Sequence, residues 1–303
     1  MDTIVTIRSL SKRFGSFTAL KDVNLDIKAG EVLGFIGPNG AGKSTTIRIL
    51  LGILKPSSGT AQVFGQNVWT NAVEIHRRLA YVPGDVNLWP NLTGGEIIDL
   101  FMKLQGSGNS VRRDELIRRF ELDPTKKSRT YSKGNRQKVA LVAAFASDAE
   151  LFILDEPTSG LDPLMERVFQ ECVEEVKARG KSVLLSSHIL SEVERLCDRV
   201  SIIREGVIIE TGTLEQLRHL TRSLFHVETM MPAERLHAFP GVHNLEQSGG
   251  RAVFQVDSEQ VGAMLEYLTG LGIKKLESTP PTLEDLFMRH YEKPDEKQGA
   301  SHV

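Results

Sequence analysis

The sequence predicts an α/β domain with a largely buried sheet over residues 1–216, interrupted by a helical insertion and followed by a small α+β domain. Three observations lead there. Up to about residue 216, short apolar runs alternate with amphipathic helical patterns, as strands and helices do when they wrap one sheet. The stretch from 93 to 135 breaks that alternation, because it contains no good strand. Beyond residue 217 the order becomes strand, helix, strand, strand, helix, strand, which is the split βαβ or ferredoxin-like order.

The elements follow in chain order. "EVLGFIG", from Glu31, is apolar enough for a buried strand, and a helix over about 43–54 follows it, closed by Pro56 and the turn "PSSGT". The helical insertion spans about 84–135, and Thr93 with Glu96 has capping-box spacing at the start of a helix. "LFILDE", from Leu151, is a second buried strand; a helix over 163–179 closes at Gly180. "KSVLLSS" and "RVSIIREGVIIE" complete the strand set of the first domain. In the second domain, 217–292, strands "SLFHVET", "GVHNLE", "AVFQVDS" and "IKKLEST" are separated by helices "PAERLHAF" and "SEQVGAMLEYLTGLG". A last helix, "TLEDLFMRHYE", is expected after Pro280 and Pro281, and residues 293–303 read as a disordered tail.

Composition narrows the function. A chain of 303 residues, 40% hydrophobic, can bury the cores of two domains. A net charge of -2 and a pI near 6.5 give no overall attraction to nucleic acid or to an anionic surface, so nucleic acid is not an expected partner. The two cysteines, Cys172 and Cys197, form no CxxC, and His219, His226, His237 and His243 lack metal-ligand spacing. No run reaches the roughly 18 apolar residues that a membrane span needs, and the N-terminus lacks the apolar core of a signal peptide, so a chain soluble by itself is expected.

The chemistry begins at "GPNGAGKST", that is Gly37, Pro38, Asn39, Gly40, Ala41, Gly42, Lys43, Ser44 and Thr45, set between an apolar strand and a helix. This is the G-x-x-x-x-G-K-[ST] phosphate loop in its confirming context. Glycines let backbone amides turn inward as an anion nest, and the helix N-terminus adds positive potential. Lys43 then reaches β- and γ-phosphate oxygens, and the Ser44 hydroxyl is a ligand for Mg2+. "LFILDEPTSGLDP" puts Asp155 and Glu156 at the carboxyl end of a buried strand. Asp155 is suited to hold the metal through its water shell, and Glu156 to orient or deprotonate an attacking water.

With these motifs the chain resembles the nucleotide-binding subunit of an ATP-binding cassette transporter over nearly all of residues 4–216. The resemblance implies a P-loop NTPase fold with a helical subdomain, and hydrolysis of ATP with Mg2+. It also implies that "YSKGNRQKVALVAA" is the signature segment, with Ser132 and Gly134 retained but Lys133 where glycine is usual and Asn135 where glutamine is usual. The same comparison implies that Ser159–Asp162 touches a partner subunit, with Asp162 among the ATP-binding residues, that His188 contacts the γ-phosphate, and that Phe14 stacks on adenine. His188 and Phe14 taken singly would more often be a strand-end and a core residue. Lys133 either lends charge to ATP held by a second subunit or points to solvent; if its φ were positive, it would cost on the order of 1 kcal/mol.

The family pattern further implies a head-to-tail homodimer closing around two ATP molecules and driving separate integral membrane permease subunits from the cytoplasmic face. "YVPGDVNLWPNLTGG", the degenerate signature and "PPTLEDLFMRHY" look like bacterial exporters of the drug and antibiotic type. The alternative is a soluble cassette ATPase acting on ribosomes or DNA, but such chains usually carry two cassettes or a long coiled-coil insertion, and this sequence has neither. One departure remains. In the family a glutamine after Tyr-x-Pro contacts the metal and the attacking water; Gly84 stands there, leaving either Asp85 as a substitute ligand or a flexible turn with water on the metal.

Overall fold

The computed structural model describes residues 2–106, 109–219 and 222–279. The expected last helix after Pro280 and Pro281 and the tail 293–303 lie outside the described residues. Two compact units emerge, Met1–Thr211 and Gly212–Val303.

The first unit opens with strands β1 (Thr3–Phe14) and β2 (Phe17–Lys28), then β3 (Val32–Ile36), helix α1 (Lys43–Leu50), β4 (Ser58–Val63), β5 (Gln66–Asn67), α2 (Ala72–His76) and β6 (Leu79–Val82). The helical segment follows as α3 (Gly94–Gln105), α4 (Ser110–Arg119) and α5 (Lys133–Phe145). The chain then returns to β7 (Leu151–Asp155), α6 (Pro163–Ala178), β8 (Ser182–Ser186), α7 (Leu190–Leu196), β9 (Arg199–Arg204) and β10 (Val207–Thr213).

These strands form a six-stranded sheet in the order β10-β9-β3-β8-β7-β6 and a four-stranded antiparallel sheet in the order β2-β1-β4-β5. The β6-β7, β7-β8, β8-β3 and β3-β9 pairs are parallel. Every residue of β3, β7 and β8 is buried, and apart from Asp155, Ser182 and Ser186 at strand ends they read as apolar runs. One apolar cluster joins the two sheets through α1, bringing Val5, Ile7 and Leu25 together with Ile47, Leu50, Leu33 and Leu184.

Caps fix the helix starts. Thr93 and Glu96 form the expected reciprocal box at α3. The Asp162 side chain accepts from the amides of Leu164 and Met165, with Pro163 in the first turn of α6. The run "RVSIIREGVIIE" differs from the reading as one strand. It is a hairpin, because Glu205 (φ 49°) and Gly206 (φ 77°) both adopt left-handed conformations, as a two-residue turn between twisted strands requires.

The second unit contains α8 (Leu214–His219), β11 (Arg222–Thr229), β12 (Val242–Ser248), β13 (Arg251–Asp257), α9 (Val261–Gly270) and β14 (Ile273–Thr279). Its sheet order is β12-β13-β11-β14 with all pairs antiparallel, the ferredoxin-like order expected from the sequence. Phe225 and Phe254 stack at 5.8 Å in its core, alongside Leu236, Met264 and Leu268. "PAERLHAF" makes only a 3₁₀ turn over Glu234–Ala238; Pro240 disfavours the helical region for the residue before it, and Phe239 leaves the turn in an extended conformation (ψ 128°).

Candidate functional site

The site forms where β3, β7 and β8 end. Beyond β3, Gly37 is pressed against β9, so that a Cβ there would stand 2.2 Å from the Ile203 carbonyl oxygen. Gly40 (φ 81°) and Gly42 (φ 114°) take conformations that only glycine adopts freely, and they curl the loop into the N-terminus of α1. Lys43 folds back over this loop. Its ammonium donates to the carbonyls of Gly37 at 2.6 Å and Pro38 at 3.2 Å. Burial pulls its pKa below the ordinary lysine value, while Glu156 and Asp155 work in the opposite direction.

Ser44, the next residue, donates its hydroxyl to an Asp155 carboxylate oxygen at 3.2 Å. Asp155 is only 7% exposed; burial pushes its carboxyl above the usual range and Glu156 adds repulsion, while the Ser44 hydroxyl and Lys43 offset part of the cost. A hydroxyl beside a buried, under-compensated carboxylate is the hard-oxygen donor pair that suits Mg2+, with phosphate and water completing the shell. Among the described residues, no three His, Cys, Asp or Glu side chains gather as a metal site. This donor set suits a cation shared with a nucleotide rather than an all-protein cage.

Glu156 follows at φ 47°, a left-handed backbone rare for a residue with a side chain. Its amide donates to the Ser186 carbonyl at 2.8 Å, and its carboxylate lies 3.5 Å from Nδ1 of the largely exposed His188. Lys43, Ser44, Asp155, Glu156 and His188 therefore meet at one end of the parallel sheet. Phe14, 48% exposed at the tip of the β1-β2 hairpin, pairs across it with Phe17 and carries the Lys12 ammonium 5.0 Å from its ring centroid.

The remaining expected residues sit on neighbouring elements. Ser132 caps α5, with its hydroxyl accepting from the Asn135 amide at 3.3 Å, and Gly134 packs on the Gly160 carbonyl. Asp162 spends its carboxylate on capping α6. Lys133 lies in the first turn of α5 and is not among the residues with positive φ, so the strain considered for it does not arise. Its ammonium donates to Ser159 Oγ at 2.7 Å. Asp85 is exposed, and Gly84 rests against the strand end that carries Asp155 and Glu156.

Two residues escaped the sequence reading. Glu192, 4% exposed in α7, accepts from Ser187 Oγ at 2.7 Å beside His188. Gln137, 1% exposed, donates to the Pro157 carbonyl at 3.0 Å. Gln137 stands among Asn135, Arg136 and Lys138, and the available signal was only its spacing of four and seven residues from Leu141 and Ala144, which puts it on the buried side of the helix.

A strand, an amide-lined glycine loop, a helix and a buried Asp-Glu pair at the neighbouring strand end define a nucleoside triphosphatase of the P-loop class. The ABC transporter family model matches residues 20–159, and the model for the C-terminal domain of DrrA1-3-like ATP-binding proteins matches 212–291. The chain is 37% identical over 225 residues to the bacitracin transport ATP-binding protein BcrA of Bacillus licheniformis, covering 73% of this chain and 74% of that one. It is 33% identical over 296 residues to the Nod factor export ATP-binding protein I of Burkholderia lata, covering 94% and 96%. Its fold matches a dimeric ATP-binding cassette in a post-hydrolysis state bound to ADP and Pi, with TM-score 0.65 and 26% identity over 70% of this chain and 99% of that one. The chain belongs to the ATP-binding subunits of ABC transporters and is an ATP hydrolase.

Proposed function

We propose that two copies of this chain close head to tail around two ATP molecules and thereby drive separate membrane-spanning permease subunits in export. The observation that carries the reading is the Glu156–His188 pair, 3.5 Å apart, beside the Ser44–Asp155 pair, 3.2 Å apart, at the mouth of the phosphate loop. Loop amides and Lys43 hold the β- and γ-phosphates, and Phe14 stacks on adenine. Ser44 and Asp155 would hold Mg2+, which would neutralise charge developing on the phosphate oxygens. Glu156 takes a proton from the water that attacks the γ-phosphorus, and His188 orients the γ-phosphate while ADP leaves. Ser132 and Gly134 seat the γ-phosphate of the ATP held by the second copy, and the Ser159–Asp162 turn meets that copy.

Closure makes contacts that exist only with ATP present, and loss of the γ-phosphate reverses it. No helix among the described residues is long and apolar enough to cross a membrane. Membership among transporter ATP-binding subunits supports action on separate permeases from the cytoplasmic face. Relatives named for bacitracin transport and Nod factor export support outward movement of a drug, antibiotic or other hydrophobic compound. The second unit is assigned to stabilising or regulating the pair. Glu156→Gln is expected to lower ATP turnover on the order of 10²- to 10⁴-fold while ATP still binds. Turnover equal to that of the parent would remove Glu156 from the mechanism. Transport in vesicles holding the co-purified permease tests the cargo class.

A further inference from the structure

The first two turns of α5 hold the turn after Glu156 at three points. Gln137 donates its buried amide to the Pro157 carbonyl at 3.0 Å, and more distantly, at 3.5 Å, to the carbonyl of Pro83, which precedes Gly84. Gly134 approaches so closely that a Cβ there would stand 2.4 Å from the Gly160 carbonyl oxygen. The Cγ and Cδ of Lys133 lie 3.5 Å from where a Cβ on Gly160 would be, and its ammonium closes the contact on Ser159 Oγ at 2.7 Å. Positions 133, 134 and 137 share one side of the helix start.

The gripped turn is tied to the attack site. The Ser159 amide donates to the Glu156 carbonyl at 3.2 Å, the Leu161 amide donates to the Thr158 carbonyl at 3.0 Å, and Glu156 is itself anchored to Ser186 at 2.8 Å. Residues 156–161 thus link α5, whose cap is Ser132, to the carboxylate that faces His188. Lysine is not demanded at 133 by the backbone, because the residue is helical. What lysine adds is reach across Gly160, a glycine at φ 82° that has no side chain of its own to obstruct it.

We infer that Lys133 is a positioning residue acting on its own chain: it clamps Ser159, so that α5 and the Glu156 turn move as one body. The clamp is a property of the single chain; its use, carrying the arrival of a second copy's ATP at Ser132 and Gly134 to Glu156, rests on the two-copy reading above.

Two measurements on the full chain test it. In the nucleotide-free protein, Lys133→Ala should raise amide hydrogen exchange at Ser159 and Leu161 about 3- to 10-fold, the range of one lost hydrogen bond, and leave Ile153 in β7 unchanged. Unchanged exchange at Ser159 and Leu161 overturns the clamp. In a Glu156→Gln background, light scattering should show Lys133→Ala and Ser159→Ala each raising the ATP concentration for half-maximal dimerisation about 3- to 10-fold, and the double substitution raising it no further. Fold-changes that multiply overturn the proposal and assign the lysine to the other copy's phosphate, and Lys133→Ala that dimerises like the parent also overturns it. Absence of any ATP-driven dimer would remove the two-copy reading alone, and amide exchange would still decide the clamp.

Discussion

A side chain at position 84 would begin 3.2 Å from the Asp155 carbonyl oxygen and 3.5 Å from Glu156 Cβ, so glycine lets this loop lie directly on the strand end that carries both acids. Asp85 is exposed beyond it. We propose that the Gly84–Asp85 pair serves as a turn and that Asp85 is not a substitute ligand. Asp85→Ala should therefore change kcat and the half-saturating Mg2+ concentration by less than about twofold, and a tenfold loss would restore Asp85 as a ligand. Glu192 makes the other prediction at this scale. Burial raises its pKa above the ordinary value of 4.5, with repulsion from Glu166 added and hydrogen bonds from Ser187 and Thr158 and the nearby His188 opposing. The folded chain thus binds this proton more tightly than the unfolded chain, and stability is lost as pH rises through the raised pKa. Glu192→Gln should raise Tm at neutral pH, and the gain should vanish below about pH 4.5, where both side chains are neutral. The phosphate loop was legible because its nine residues are contiguous. Glu192 and Gln137 were not, because each acquires its role from a partner segment: Thr158, across the site from Glu192, and Pro157, 20 residues from Gln137.

Among elements, α7 packs closely over a glycine of the sheet. A Cβ on Gly34 of β3 would stand 2.7 Å from Val193 Cγ1 and 3.0 Å from Cys197 Sγ, so the helix rests on bare backbone. Gly34→Ala should cost about 1–3 kcal/mol in urea unfolding, and a loss below that range would show that α7 can lift without penalty. Elsewhere α4 is tied to α6 by ions: Arg112 pairs with Glu175, and Arg119 with Glu171 at 3.2 Å and Glu175 at 2.7 Å. Buried strands β3, β7 and β8 announced themselves by continuous apolar sequence, and α3 by its box. The β1-β2 pair did not. Ser9 and Asp22 take left-handed conformations, and the register shifts between Ile7 and Leu10, so the alternation that marks a half-buried strand is interrupted. The β9-β10 hairpin was hidden because Glu205 gives no warning that it will accept a positive φ.

At the scale of the molecule, Lys43, Ser44, Asp155, Glu156 and His188 all lie within the first unit. A chain ending at Thr213, which keeps β10 whole, should bind ATP with a Kd within about threefold of the full chain, measured by calorimetry. A larger loss would place part of the nucleotide's hold in the second unit. The order of that unit's sheet was legible because four strands with connections of this length close in few ways. Glu156 gives the molecule a last property. Its φ of 47° costs on the order of 1–2 kcal/mol for any residue with a Cβ, and glycine would be relieved of it. With Glu156 as the proposed base, heat tolerance and turnover are opposed at a single codon. A library sorted for thermal survival alone would enrich inert chains, so evolution of sturdier versions has to score product formation in the same round.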